Sequence, residues 1–186
     1  TSSLVGSEMC IRDRFAVKQA ITEAAVPFID RMTANSSLAL PEPYENLKCT
    51  GKDGILSYPY IHGSTLLEII RSYVKQRDGE KVLSVLNEFY SRYFSEKEWR
   101  SDIYSERFAE VFGTEKGEAG YECIEPANID LICDNIFLGD QNSYIIDYEW
   151  IFDIPVPVNF IMWRMINELY WKLPEIEQVL DPVSYT

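Results

Sequence analysis

The segment at residues 128–150 decides the fold of this chain. It reads N-I-D-L-I-C-D-N-I-F-L at 128–138 and, after a short polar stretch, Y-I-I-D-Y-E-W at 144–150. The runs I-F-L and Y-I-I have β character, and G-D-Q-N-S between them is rich in turn residues, so the pattern predicts a β-hairpin. Closing this hairpin would place Asn135 and Asp147 at the same end.

Asn135 and Asp147 together have the chemistry of a metal site. Amide and carboxylate oxygens are hard ligands that suit magnesium, which completes its octahedron with water and phosphate. Asp130 lies five residues before Asn135 and is placed to accept the proton of an attacking hydroxyl group. The alternative is that Asp130 and Asn135 cap local turns and that Asp147 ends a strand. Because both halves of the pattern occur in this order, we favour the active-site interpretation.

The same block resembles the protein-kinase-like superfamily, in particular its small-molecule branch of aminoglycoside phosphotransferases and choline kinases. In that branch the second motif reads I-D-x-E, as residues 146–149 do here. The resemblance implies an α+β, protein-kinase-like fold, mostly the helical large lobe with a truncated small lobe, and the cofactors ATP and Mg²⁺. It also implies that Asp130 is the catalytic residue, while Asn135 and Asp147 hold the metal.

Three upstream stretches resemble the same family. The sequence F-A-V-K, which ends at Lys18, is similar to the V-A-I-K strand of kinases and implies that this lysine contacts the nucleotide phosphates. Residues 55–61 resemble the hinge between the two lobes, which implies that Tyr58 and Tyr60 contact the nucleotide. Residues 62–66 resemble the turn that opens the first helix of the large lobe.

The chain departs from the family pattern at three places. Asn128 stands where most relatives have a histidine, two residues before the catalytic aspartate, and that histidine orients the loop. No glycine-rich phosphate loop precedes Lys18. The acidic partner of Lys18 is open between Asp30 and Glu23, of which Asp30 is the better placed.

A segment of foreign origin would explain the missing glycine loop. Residues 4–14 resemble the translation of an adapter from transposon-based sequencing libraries, so we predict that residues 1–14 are not native; the alternative is a genuine amphiphilic N-terminus. The native chain would then begin near Phe15, without its upstream strands. Residues 15–61 would be a small-lobe remnant with the hinge, and residues 62–186 would be the large lobe. Its C-terminal end is open between a natural end and a truncation. We expect such a fragment to be inactive as it stands.

Composition excludes several classes of function. The net charge of −13 over 186 residues leaves no basic excess for nucleic acid and disfavours anionic lipid. No apolar run reaches the length of a membrane span. Four cysteines without C-x-x-C spacing, and a single histidine, argue against a zinc site and fit free thiols in a reducing cytoplasm. Cys133 is interpreted as a packing residue, because no histidine lies nearby in sequence to activate it.

Helical periodicity marks the second half of the chain. Apolar residues have helical spacing at 66–74 and 82–93, and a further helix is predicted over 159–171. Gly113 is predicted to end a short helix. Arg164, on the last of the long helices, has two interpretations: a counter-ion that faces the acidic site, or a solvated arginine.

The functional prediction is an ATP- and magnesium-dependent phosphotransferase that acts on a hydroxyl of a small molecule or saccharide. The block also resembles kinase-like domains fused to methyltransferases or glycosyltransferases in bacterial surface-polysaccharide synthesis, so such an enzyme is an expected partner. A rival from another class is a non-catalytic kinase-like binding module. Asn128 favours the rival, whereas the retention of Asp130, Asn135 and Asp147 opposes it. An unrelated helical protein with accidental matches is the third hypothesis.

Overall fold

The structure is a computed structural model that describes residues 7–12, 15–113, 120–139 and 142–180, the first range for its backbone only. It is a mixed α+β structure, as the sequence predicted. The α-helices are α1 (Val26–Asn35), α2 (Leu66–Lys75), α3 (Gly79–Tyr93), α4 (Glu106–Phe112) and α5 (Val158–Lys172). The strands up to the end of α2 are β1 (Ser7–Arg12), β2 (Phe15–Ala20), β3 (Tyr44–Asn46), β4 (Thr50–Lys52), β5 (Ile55–Pro59) and β6 (Ser64–Thr65). Those after α3 are β7 (Glu98–Arg100), β8 (Tyr121–Ile124), β9 (Ala127–Asn128), β10 (Ile136–Leu138), β11 (Ser143–Ile145), β12 (Ile151–Phe152) and β13 (Val156–Pro157).

An antiparallel sheet of order β1-β2-β5-β4 carries α1 against one face. Leu56 of β5 is buried, and its cross-strand partner is Lys18 of β2. Side chains of directly paired residues project from the same face of a sheet, so Lys18 points inward with the core. A Cβ atom on Gly51 would lie 2.2 Å from the Thr33 side-chain oxygen, which is why β4 can approach α1 so closely.

The predicted hairpin is present as β10 and β11, in a sheet of order β3-β11-β10-β6. Ile136 pairs with Ile145, so the second strand lies one residue earlier than predicted. β3 pairs parallel to β11, with Tyr44 opposite Ser143. The range 15–61 thus contributes a strand to the sheet that the hairpin builds, which the sequence did not predict.

The predicted helices are confirmed, and their ends have clear local causes. At α2, Thr65 and Glu68 form a reciprocal capping box, with bonds of 3.2 and 2.9 Å. At α3, the Asp78 side chain accepts from the Lys81 amide at 3.1 Å. Gly113 ends α4 with a left-handed φ of 60°.

The proline-containing connector before α5 is extended. β13 forms the edge of a sheet of order β13-β8-β7, where a proline removes no hydrogen bond from the sheet interior. Before it, β12 pairs with β9, and Ile151 lies opposite Asn128. This pairing returns the chain to the start of the predicted catalytic loop.

Two further sequence predictions concern the ends and the membrane. Strand β1 falls within the segment predicted to be non-native, and its backbone pairs with β2; backbone pairing is open to any sequence, so this origin stays a prediction. Residues 1–6, 13–14 and 181–186 lie outside the described part of the chain. Over the described ranges, no helix combines the length and apolar character that a membrane crossing needs.

Candidate active site

Lys18 lies at the centre of the site and is 7% exposed. Its Nζ lies 3.1 Å from Asp147 Oδ1 and 3.0 Å from Glu149 Oε2. The same atom donates to Met32 Sδ on α1 at 3.5 Å. One lysine from the first sheet therefore joins both carboxylates of the I-D-Y-E motif, which lies more than a hundred residues away in sequence.

Tyr148, between the two carboxylates, fixes their direction. It is fully buried, and its hydroxyl donates to the Leu47 carbonyl at 2.5 Å. Its own carbonyl accepts from Asn35 Nδ2 at 2.9 Å. Alternate residues of an extended segment point to opposite sides. With Tyr148 anchored in the core, Asp147 and Glu149 both face Lys18.

Burial and charge perturb the groups of this cluster. Burial alone would lower the pKa of Lys18, but Asp147 and Glu149 outweigh it and the pKa is raised. Burial raises the pKa of Asp147 to about 6; Lys18 opposes the shift, and the negative Glu149 and Asp130 reinforce it. Asp147 is thus a carboxylate whose charge the chain compensates only in part, which favours an additional cation beside it.

The loop that holds Asp130 is fastened at both ends by amide side chains. Asn128 donates from Nδ2 to the Asp147 carbonyl at 3.2 Å and accepts from the Asp130 backbone N–H at 2.9 Å. Asn135 donates from Nδ2 to the Asp130 carbonyl at 3.0 Å. The backbone carbonyl of Asn135 accepts from the Ile146 amide at 3.0 Å. The predicted convergence of Asn135 and Asp147 at one end of the hairpin is therefore present in the backbone.

Asn128 has a structural role that sequence reasoning missed. Asn128 stands in place of the orienting histidine of most relatives, yet this buried side chain uses both a donor and an acceptor to bridge Asp130 and Asp147. An amide group is able to do so because it carries an N–H donor and an oxygen acceptor on one planar unit.

We predict that Asn128→Ala lowers the free energy of unfolding by about 1–3 kcal/mol, because buried backbone groups of both loops lose their partner. Urea denaturation monitored by circular dichroism measures this. Asn87→Ala is the control, since Asn87 is exposed on α3. Equal midpoints for the two variants would show that the Asn128 bridge does not support the site.

Helix α5 holds the same loop with two cations. Arg164 donates from Nε to the Ile129 carbonyl at 2.9 Å, and its Nη2 lies 3.3 Å from Asp130 Oδ1. Lys172, two turns further along, pairs with Asp134. The structure thus selects the counter-ion interpretation of Arg164 over the solvated one. Burial raises the pKa of Asp130 even though Arg164 opposes the shift.

The predicted acidic partners of Lys18 were wrong. Asp30 and Glu23 are exposed. The ammonium group of Lys18 is instead ion-paired with Asp147 and Glu149. Asp30 precedes Met32 by two residues, and two helical residues rotate the side chain by about 200°, so Asp30 points away when Met32 faces Lys18. The signal for Glu149 was present in the sequence as the last letter of I-D-Y-E.

The two tyrosines predicted to contact a nucleotide have different environments. Tyr58 is 4% exposed, with its hydroxyl 3.9 Å from Met32 Sδ, so its ring is a core group beneath Lys18. Tyr60 is 43% exposed, and its ring meets the His62 ring edge-on at 5.0 Å. The structure therefore leaves the Tyr60 side chain accessible and not that of Tyr58. Cys133 is buried as a packing residue, with its pKa raised by burial to about 12.

The donor set at Asn135 and Asp147 fits magnesium better than zinc. Among the described residues, no group of three or more histidine, cysteine, aspartate or glutamate side chains is arranged to hold a metal. Magnesium commonly takes only one or two protein carboxylates and obtains its other oxygens from phosphate and water. Asn135 Nδ2 is engaged by the Asp130 carbonyl, so Oδ1 is the atom that would serve as a ligand.

Comparison of the sequence with models of known protein families finds no match, and neither does comparison with curated proteins. The chemistry of the site therefore has to be argued from the geometry of Lys18, Asp130, Asn135 and Asp147.

Proposed function

We propose that this chain is a protein-kinase-like phosphotransferase that transfers the γ-phosphoryl group of ATP to a hydroxyl of a small molecule or saccharide. The observation that carries the proposal is one connected network. Lys18 is ion-paired to Asp147, Asn128 ties Asp147 to Asp130, and the Asn135 amide bonds the Asp130 carbonyl. Groups separated by up to 129 residues are joined in this network, which supports a shared role for them in phosphoryl transfer.

The two carboxylates that share Lys18 suit different tasks. Glu149 is buried, with its other oxygen 3.1 Å from Trp150 Nε1, so it would keep the lysine in place. Asp147 is the more accessible partner, with 30% of its side chain exposed, and would turn to a metal while Lys18 turns to the nucleotide phosphates. Magnesium held by Asp147 and Asn135 would neutralise charge on the phosphate oxygens.

Asp130 would accept the proton of the acceptor hydroxyl. Its raised pKa makes the carboxylate a better proton acceptor than an exposed aspartate. Arg164, which bonds both the Ile129 carbonyl and the Asp130 carboxylate, would hold that carboxylate in one direction. Helix α5 would thus orient Asp130, and Asn128 would link Asp130 to the proposed metal ligand Asp147.

The wider setting of the proposal is also inferred. The antiparallel sheet with α1 against it would correspond to the small lobe of a kinase-like fold. The chain from residue 62 onward, with its helices and short strands, would correspond to the large lobe. The buried free thiols Cys123 and Cys133 suit a reducing compartment, so we place the protein in the cytoplasm. A saccharide acceptor, and a methyltransferase or glycosyltransferase encoded or fused alongside, are proposed from the sequence resemblance alone.

A non-catalytic binding module is the second candidate, and one observation favours it. Both critical aspartates are already ion-paired within the chain, Asp147 with Lys18 and Asp130 with Arg164. A module that no longer carries out chemistry could keep these pairs as structural elements. The two candidates differ in whether Asp130 affects turnover.

Asp130→Asn is expected to leave ATP affinity nearly unchanged and to reduce turnover by about 10²–10⁴-fold, because proton acceptance matters mainly in the transition state. The assay uses the longest natural chain that contains residues 15–180, with a panel of hydroxylated acceptors and release of ADP as the signal. Asp53→Asn is the control, because Asp53 is exposed in the β4–β5 turn.

If the wild-type protein turns over and Asp130→Asn turns over equally fast, Asp130 is not the base. Magnesium-dependent ATP binding without turnover of any acceptor would favour the binding module.

A further inference from the structure

A cavity lies beside the candidate active site. It has a volume of about 300 Å³ and is lined by Arg31, Arg107 and residues 151–154. Ile151 is paired with Asn128, which in turn bonds the Asp130 amide. Adjacent strands are about 4.8 Å apart and a strand rises about 3.3 Å per residue, so the cavity wall lies within roughly 10 Å of the Asp130 backbone.

The two arginines reach the cavity from different helices. Arg31 lies on α1, with its guanidinium carbon 4.8 Å from the centre of the Phe28 ring. Within the described residues, no carboxylate lies within ion-pair distance of it. Arg107 lies on α4 and pairs with Glu110 at 2.9 Å, with both side chains about two-thirds exposed. Such an exposed pair is weak, so Arg107 can exchange its partner at little cost.

Arg31 and Arg107 line one cavity in a chain whose net charge is −13, so this part of the surface differs in charge from the chain as a whole. A guanidinium presents N–H donors in a planar fork that matches a carboxylate or phosphate. Asp153 also lines the cavity, and its negative charge opposes an anion, so an anion has to contact both arginines to offset that repulsion.

We propose that this cavity binds a compact oxyanion of the phosphate class. We further infer, on the basis of the proposed function, that the oxyanion belongs to the acceptor, whose hydroxyl would then reach Asp130. The acceptor class would be a small hydroxylated molecule that carries an acidic group, such as a sugar phosphate.

The oxyanion site is tested by isothermal titration of inorganic phosphate into the protein without nucleotide. We expect binding that weakens by about 10-fold or more in Arg31→Gln and in Arg107→Gln, because each loses charge-assisted hydrogen bonds. Asp153→Asn is expected to tighten binding, since a like charge is removed.

Arg92→Gln is the matched control, because Arg92 pairs with Glu88 on an exposed helix face at 2.9 Å, as Arg107 does with Glu110. The four substituted residues are all exposed: Arg31, Arg92, Arg107 and Asp153. Thermal unfolding verifies that the variants fold. No phosphate binding, or equal binding in Arg31→Gln and Arg92→Gln, would overturn the site.

The source of the oxyanion is tested by titrating glucose 6-phosphate and glucose in the same way. If the oxyanion belongs to an acceptor, glucose 6-phosphate binds more tightly than both inorganic phosphate and glucose. In Arg31→Gln, the affinities for glucose 6-phosphate and for glucose should then become equal. Equal affinity for glucose 6-phosphate and phosphate would assign the cavity to free phosphate and overturn the acceptor inference. Because none of these titrations contains ATP or magnesium, failure of the proposed function would leave the oxyanion result intact.

Discussion

Lys18→Met is expected to lower the free energy of unfolding by about 3–5 kcal/mol, the usual cost of removing one partner from a buried ion pair. Methionine fills much of the same volume but leaves Asp147 and Glu149 close together in a desolvated site with no cation. Both carboxylates lie within 3.1 Å of the ammonium group in the native chain. Denaturant unfolding of the 186-residue chain measures the loss.

Rescue by a second substitution separates charge from packing. Lys18→Met combined with Glu149→Gln should recover part of the stability, because the repelling pair of carboxylates is reduced to one. Lys52→Met is the control, as the Lys52 side chain is 88% exposed and its ion pair at 3.9 Å is a surface one. A Lys18→Met variant as stable as Lys52→Met would show that the ion pairs of Lys18 with Asp147 and Glu149 do not stabilise the fold.

Asp147→Ala is expected to abolish magnesium-dependent ATP binding, because it removes a direct metal ligand. Glu149→Gln is the matched control: it alters the other carboxylate on Lys18, weakens the hold on that lysine and should leave the requirement for magnesium intact. Titration calorimetry of ATP, with and without magnesium, measures both variants. Binding that is equally metal-dependent in Asp147→Ala and wild type would mean that the metal ligand has been misassigned.

The pH dependence of that binding should follow Asp147. Its pKa without metal is raised to about 6, so the carboxylate is largely protonated below that pH, and a metal must compete with the proton. We expect the apparent ATP affinity in magnesium to fall as pH drops through about 6 and to be flat above about 7. A profile flat down to about pH 5 would contradict the role of Asp147.

Features set by local pattern were predictable from the sequence. The hairpin between Asn135 and Asp147 and helices α2, α3 and α5 follow from short-range alternation, turn composition and helical periodicity. The resemblance implied that Lys18 contacts the nucleotide phosphates, but it did not predict the ion pairs of Lys18 with Asp147 and Glu149, because no local pattern joins residues that far apart.

Features set by tertiary packing were not predictable. The parallel pairing of β3 with β11 joins segments that lie far apart in the sequence, and the burial of Tyr58 depends on how α1 packs against its sheet. The choice of Glu149 over Asp30 depends on the rotation of α1 about its axis. The bridging role of Asn128 was not predicted, because one of its side-chain bonds goes to the Asp147 carbonyl, 19 residues away, and the sequence carries no sign of such a partner.

The most direct test of the central claim is titration calorimetry of ATP into the longest natural chain that contains residues 15–180, with and without magnesium. We predict ATP binding that appears only with magnesium and disappears in Asp147→Ala. No ATP binding under either condition, or equal binding with and without the metal, would contradict the assignment of Lys18, Asn135 and Asp147 to a nucleotide–metal site.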